Sequence, residues 1–314
     1  MQAPTTAQPS HSSTPDPLAD LFEAFVKDRL FQKGWSQKTV HSYRQGFSNL
    51  QRHLRESSAA TNGAGWDVLS KAVLQAWVVS MRARGMGPGG ANVYIRGVNS
   101  FLSWMHAQEH MPVRLRVPVQ REEQKTLEIF SDRELRAILA FKPTSWSQWR
   151  IWVLMFLLLD TGCRITEVLE LKEKDVDLDN LLLTVHRKWK KEGKVPFSLE
   201  FRKILWRFLQ LKRKRTAPAI YIFCTSTGGR MTYRNAYRDI HMLLNKLGVT
   251  SETNPHKFRH TYASKFIANG GNPFQLQRLM GHNSIQTTLK YVHLQTEDLK
   301  AAHSEHSMMA RLRR

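Results

Sequence analysis

Residues 110–126, HMPVRLRVPVQREEQKT, carry Pro112 and Pro118 and show no helical period, and they interrupt a chain whose other long segments are amphipathic. Proline lacks a backbone N–H and pushes the residue before it away from helical backbone, so no helix runs through this stretch. It reads as a linker, and the chain on either side of it is expected to fold as separate bodies. Before it, Leu18, Leu21, Phe22, Phe25 and Leu30 share one helical face. Ser36 can cap a second helix that buries Val40, Tyr43, Phe47, Leu50 and Leu54. Leu69, Val73, Trp77 and Met81 mark a third helix, and Val93, Val98, Phe101, Leu102 and Met105 a fourth. By composition the loops are SSAATNGAG at 57–65 and a GMGPGG turn at 85–90. The spacing thus predicts a helical bundle over 17–109. Residues 1–16 contain no Leu, Ile, Val or Phe, cannot offset their own ordering entropy, and read as a disordered tail.

Beyond the linker a second domain is expected over 127–314. Helical spacing recurs at 132–141, 146–160, 198–215, 232–247, 256–269, 272–281 and 284–291, while LLLTVHRK (181–188) and KVPFS (194–198) read as two short strands around a charged turn. The fold class is therefore mainly α with a small β-sheet. The longest apolar run, Ile151 to Leu159, falls far short of the ~20 residues a membrane-spanning helix needs. The N-terminus lacks the basic flank and apolar core of a signal peptide. Two cysteines, Cys163 and Cys224, exclude a disulfide framework and a four-cysteine zinc site. The expectation is a cytoplasmic protein with no membrane partner.

Charge narrows the class further. Lys and Arg total 47 against 26 Asp and Glu, a formal net charge of +21. Such an excess attracts polyanions. The commonest is nucleic acid, and two basic bodies on a short linker can close around a duplex through its phosphates.

Four segments of the second half hold more than folding requires. In Thr161-Gly162-Cys163-Arg164-Ile165-Thr166-Glu167, Arg164 follows a turn at the end of an apolar helix and Glu167 lies one turn on. Taken alone this is an ordinary helix-start ion pair. Arg187-Lys188-Trp189-Lys190-Lys191-Glu192-Gly193-Lys194 reads as a solvated hairpin tip or a phosphate grip. After the helix-start signal Asn254-Pro255, His256 and Arg259 share a face in His256-Lys257-Phe258-Arg259-His260. His256 and His260 also have metal-ligand spacing, but the intervening cations oppose a divalent ion, and no metal is expected. Last, Gly281-His282-Asn283-Ser284 is followed by Tyr291, nine residues after the histidine.

Together these segments resemble the tyrosine recombinases, or phage integrase family. The family pattern runs T-G-x-R-x-x-E, a hairpin Lys, H-x-x-R, a G-H box, and a Tyr nine residues beyond that His. Arg164 and Glu167, Lys188, His256 and Arg259, Gly281 and His282, and Tyr291 occur here in that order. HKFRHTYAS is similar to the family's H-x-L-R-H-T-F-A-T, and GHNSIQTTLKYVH to its G-H-x-S-I-x-T-T-x-x-Y-x-H. The likeness is detailed over 127–295 and looser over 17–108, which looks like the family's core-binding domain. Phe258 stands where Leu is common, and Lys190, Lys191 and Lys194 compete with Lys188 for the lysine role. Lys188 lies 24 residues after Arg164, where similar members carry theirs.

The resemblance implies a site-specific DNA recombinase acting through a 3′-phosphotyrosyl intermediate. Tyr291 would be the nucleophile, Lys188 the general acid on the 5′-oxygen, Arg164, Arg259 and His282 the donors to the scissile phosphate, and His256 an aid to proton transfer. Bond energy would be kept in the covalent intermediate, so neither cofactor nor metal is implied. The family pattern also implies four protomers on two duplexes, possible C-terminal tail exchange, and association with the nucleoid, with a second recombinase or an accessory protein as a further partner class. The tail after Tyr291 either docks on a neighbouring protomer or folds back on its own domain. Lys38, Arg44 and Arg96, with Lys190 and Lys191, are candidates for contact with DNA. The rival readings are a DNA-relaxing topoisomerase of the tyrosine type and a non-catalytic DNA-binding protein. Within the family a simple Xer-like or transposon-borne recombinase fits best.

Overall fold

The structure, a computed structural model, describes residues 16–57, 68–122, 127–187, 192–249 and 254–292. The chain divides into two compact units, Met1–Lys125 and Thr126–Arg314.

The first unit is built on helices α1 (Pro17–Phe31), α2 (Gln37–Glu56), α3 (Lys71–Ala83) and α4 (Pro88–Ala107). Asp16, Ser36 and Ser70 cap α1, α2 and α3 by accepting hydrogen bonds from first-turn N–H groups that would otherwise lack partners. The core is aromatic: Phe22 stacks on Phe47 at 3.9 Å, and Phe25, Trp77 and Phe101 are fully buried. The Trp77 indole N–H is satisfied by Asn49 at 2.9 Å.

Two local expectations change. GMGPGG is not a turn throughout: Gly87 is the N-cap and Pro88 opens α4, where the missing proline N–H costs nothing and its fixed φ suits a helix start. Val93 points outward, at 47% exposure, and Ala91 and Ile95 hold the inner face in its place.

The described part of the expected linker, 110–122, is extended and packed within this unit. Met111 and Val117 are buried, and two α4 asparagines hold the backbone. Asn99 exchanges two hydrogen bonds of 2.8 Å with the N–H and C=O of Val117. Asn92 does the same with Gln120, at 2.7 and 2.9 Å. Seven positions apart, the two amides share one helix face and replace the partners that an unpaired extended chain would lack.

The second unit is organised by α6 (Trp146–Thr161), which is apolar around most of its surface and therefore central. Around it lie α5 (Asp132–Ala140), α7 (Ile165–Leu169), α8 (Leu199–Arg215), α9 (Tyr233–Lys246) and α10 (Pro255–Ala268). The short helices α11 (Pro273–Met280) and α12 (Gln286–Leu289) follow. A three-stranded antiparallel sheet runs in the order β1 (Val176–Asp177), β2 (Leu182–His186), β3 (Glu192–Pro196). Leu183 faces Val195 and His186 faces Glu192 across the hairpin, with Leu183, Val185 and Val195 in the core. The two-residue β1 has too few positions to give an alternation signal in sequence.

Candidate active site

Four short pieces of chain build the site, and backbone geometry sets each one. The first is the end of α6. Gly162 is left-handed, with φ +62°, and its N–H closes the helix on the Leu158 carbonyl at 3.1 Å. The Tyr262 ring stands against its Cα, so a Cβ there would collide with the ring. Arg164 then caps α7. Its backbone N–H donates to Glu167 Oε2 at 3.0 Å, and its guanidinium Nη1 to Oε1 at 2.8 Å. The Glu167 side chain is 8% exposed and that of Arg164 38%, so a buried carboxylate fixes a guanidinium that reaches out of the wall.

The second piece is the start of α10, capped by Asn254 with Pro255 in its first turn. This places His256 at the surface and Arg259 in the interior, at 5% exposure. Arg259 donates from Nη1 to the Gly162 carbonyl at 2.7 Å and from Nη2 to the Met280 carbonyl at 2.8 Å. Burial, followed by the charge of Arg164, lowers its pKa to about 10, which leaves it charged at neutral pH.

The third piece is the turn after α11. Gly281 is left-handed, with φ +62°, and the Arg187 guanidinium packs on it so closely that a Cβ would clash. Gly193 on β3 is crowded by the same guanidinium. Arg187 thus lies between two glycines, and its Nη2 donates to the Leu279 carbonyl at 2.9 Å, joining the hairpin to the end of α11. His282 follows, its Nδ1 2.8 Å from the hydroxyl of the fully buried Thr288. Burial, then Arg259, Arg164, Lys290 and Arg187, lowers the His282 pKa to about 4. The ring is neutral at pH 7, and if Thr288 donates to Nδ1 the proton sits on Nε2.

The fourth piece carries Tyr291, at 6% exposure, whose backbone N–H closes on the Thr288 carbonyl at 3.0 Å. Its phenol oxygen lies 2.8 Å from Nδ1 of His260. Burial raises the Tyr291 pKa, and the charge of Arg259 opposes that rise. Burial, then His256, Arg259 and Lys290, lowers that of His260. The His256 pKa is lowered too, first by partial desolvation of a residue that stays exposed, then by Arg259 and Arg164.

Arg164, Glu167, Arg187, Arg278 and His282 line one open cleft of about 1070 Å³. Arg259 is fixed behind its wall through the Gly162 and Met280 carbonyls. Residues more than a hundred positions apart in sequence therefore make one cationic site. Lys188, Lys190 and Lys191 lie outside the described residues, as does the tail after Val292. The expected set omitted His260 and Arg187. His260 stands inside the HKFRH text, and nothing local shows which histidine meets the tyrosine. Arg187 is one more cation in a charged turn.

In the first unit Lys38 is exposed on the first turn of α2, Arg44 pairs with Glu23 at 2.7 Å, and Arg96 lies 3.7 Å from Glu122. Arg44 lines a recess of about 430 Å³ with His41, Gln45, Ser48, Arg52 and Tyr94. Among the described residues, no group of three His, Cys, Asp or Glu could hold a metal ion, and no helix is long and apolar enough to cross a membrane.

Residues 128–298 match the phage integrase family. The chain belongs to that family. Its relatives include tyrosine recombinase XerC of Lactobacillus leichmannii, 25% identical over 92% of this chain and 98% of the relative. XerC of Yersinia pestis is 27% identical over 90% and 92%. Among solved structures, the Tn1549 transposon integrase in complex with transposon right end DNA covers 93% of this chain and 99% of its own, with 19% identity and a TM-score of 0.74. XerH bound to a palindromic difH substrate, a post-cleavage complex, covers 91% and 83%, with 18% identity and a TM-score of 0.70. The recombinase described here is a DNA-cutting and -rejoining enzyme of the tyrosine type, and the topoisomerase and binding-only readings are not favoured.

Proposed function

We propose that this recombinase opens a phosphodiester with Tyr291 while Arg164, Arg259 and His282 hold the non-bridging oxygens. A phosphodiester repels nucleophiles because its oxygens carry charge that must be stabilised in the transition state. Arg164, braced by Glu167, presents a planar fork suited to two such oxygens. Arg259 uses one N–H on each of two carbonyls and keeps three for the phosphate. A neutral His282 with its proton on Nε2 supplies one further donor. Lys188, next in sequence to Arg187, is assigned the general acid that protonates the departing 5′-oxygen. His256 lies within the field of both arginines and supports the pocket's charge balance.

The observation that carries the reading is Arg259, whose two carbonyl bonds tie the Arg164 turn to the His282 turn. The exposed basic face of α2, with Lys38, Arg44 and Arg52, and Arg96 on α4 are assigned to DNA phosphates or base edges. Strand exchange requires two duplexes, which we assign to a tetramer of this chain serving a mobile element or a Xer-like role.

The test uses duplexes selected for binding from a random pool, nicked beside the cleavage position so that the short 5′-hydroxyl fragment diffuses away. A covalent 3′-linked adduct on a denaturing gel, mapping to Tyr291 and lost in Tyr291→Phe, is the expected result. An adduct that persists in that variant overturns the assignment.

A further inference from the structure

The nucleophile assigned above needs a base, because a free phenol has a pKa of about 10 and is overwhelmingly protonated at pH 7. Of the two histidines on α10, the one in contact with the phenol is His260: Nδ1 to the hydroxyl oxygen is 2.8 Å. His256 sits one turn earlier, its ring centre 6.5 Å from that of His260. The tyrosine ring stands 5.8 Å from His260, tilted by 44°, so the contact runs through the hydroxyl and not through stacking. Both partners are at least partly shielded from water.

We infer that His260 is the general base that takes the Tyr291 proton in strand cleavage and returns it in rejoining. This rests on Tyr291 being the nucleophile. In the cleavage step the phenol O–H proton passes to Nδ1 of His260 as the phenol oxygen forms its bond to phosphorus. The P–O5′ bond then breaks, and its electron pair leaves on the 5′-oxygen, which takes a proton from a separate acid. Rejoining reverses each transfer: the 5′-hydroxyl attacks, the phenolate leaves, and His260 gives its proton back. No oxidant, metal or nucleotide enters the balance.

The surroundings suit that role. The titratable and charged groups facing His260 are His256 and Arg259 from its own helix, Lys290 at the end of α12, and Tyr291 itself. All but the tyrosine favour a neutral ring, so at neutral pH His260 holds a free lone pair for the phenol proton. The imidazolium that forms next to these cations is stabilised only once a phosphodiester brings negative charge into the pocket. Deprotonation is thereby coupled to the presence of DNA.

The experiment is single-turnover cleavage of the nicked selected duplex, alongside the same duplex with sulfur in place of the bridging 5′-oxygen. His260→Asn keeps an acceptor near the Nδ1 position and removes the basicity. It is expected to lower the rate roughly 10²- to 10⁴-fold, as loss of a general base does. DNA affinity should be unchanged, and the sulfur substrate should restore nothing, because a better leaving group does not help a protonated nucleophile. Wild-type rates should rise with pH as the ring loses its proton and then level off well below the phenol range of about 10. If His260→Asn cleaves at the wild-type rate, or if the wild-type rate climbs without a plateau towards pH 10, His260 is not the base. Rescue by sulfur would likewise overturn it. Should His260→Asn fail to fold, His260→Gln measured on the same two substrates decides. An adduct that survives Tyr291→Phe would instead sink the nucleophile assignment, so the two failures are distinct.

Discussion

Arg259 and Gly162 meet at 2.7 Å across 97 positions of sequence, guanidinium to carbonyl. The carbonyl belongs to the left-handed residue that ends α6, two positions before Arg164. The side chain proposed to carry charge for the substrate therefore also ties down the turn that presents a second cation. Arg259→Lys keeps the charge but replaces a rigid fork with a single ammonium that cannot reproduce both carbonyl bonds. Cleavage is expected to fall about 10²- to 10³-fold, the cost of one misplaced oxyanion donor. The buried carbonyl left unpaired should cost about 1–3 kcal/mol, read as a shift in denaturant midpoint.

Gly162→Ala is expected to destabilise the second unit although the change adds one methyl. Left-handed backbone costs an L-residue about 1–2 kcal/mol, and the Tyr262 ring occupies the space the methyl needs. Tyr262→Ala in the same chain removes the collision but not the backbone strain. The double variant should recover part of the loss, and a double-mutant cycle measures how much.

Thr288 holds the ring of His282, and its substitution should act through that ring. Thr288→Val retains shape and loses the hydroxyl, which frees the histidine to turn or to change tautomer. A fall in cleavage of about 10-fold or more is expected, with Thr288→Ser close to wild type. Equal rates in Val and Ser variants would show that Thr288 serves packing alone.

Acid should weaken the fold in a definite window. With the folded pKa of His282 near 4 and an ordinary value near 6.5, the unfolded chain binds the proton first as pH falls. Stability from this group is complete above about pH 6.5 and is lost as pH drops towards 4. His53, His256 and His260 are lowered as well and act in the same direction. Denaturant midpoints at pH 7 and pH 5 should therefore differ, and His282→Asn should reduce the difference.

Arg187→Ala should loosen the hairpin while leaving the helices intact. It removes the bond to the Leu279 carbonyl and the packing between Gly193 and Gly281. Amide exchange over 182–187 and 192–196 should quicken, with α6 and α8 unchanged.

Much of this architecture is legible in the sequence where a signal is local. Ser36 caps its helix as its position predicts, and the α1 and α2 faces follow their apolar spacing. The Arg164–Glu167 pair is one helical turn long and therefore readable. What escapes is tertiary. Asn92 and Asn99 read as polar interruptions of α4 until the extended chain lies beside them. What sets His260 apart from His256 is its contact with a residue 31 positions away, which no local pattern shows. Pro88 reads as a turn former beside three glycines, although proline in that place equally opens a helix.

The brevity of α12 has its own consequence. Four residues of helix hold Thr288, which anchors His282, and Tyr291 closes its backbone on the same threonine. A displacement that carries the phenol away pulls the hydroxyl from the imidazole. Tyr291, the proposed nucleophile, and His282, assigned to its target phosphate, are thus mechanically ganged. On that reading the site is assembled or disassembled as a unit, and withdrawing the Tyr291 phenol also loosens the His282 ring.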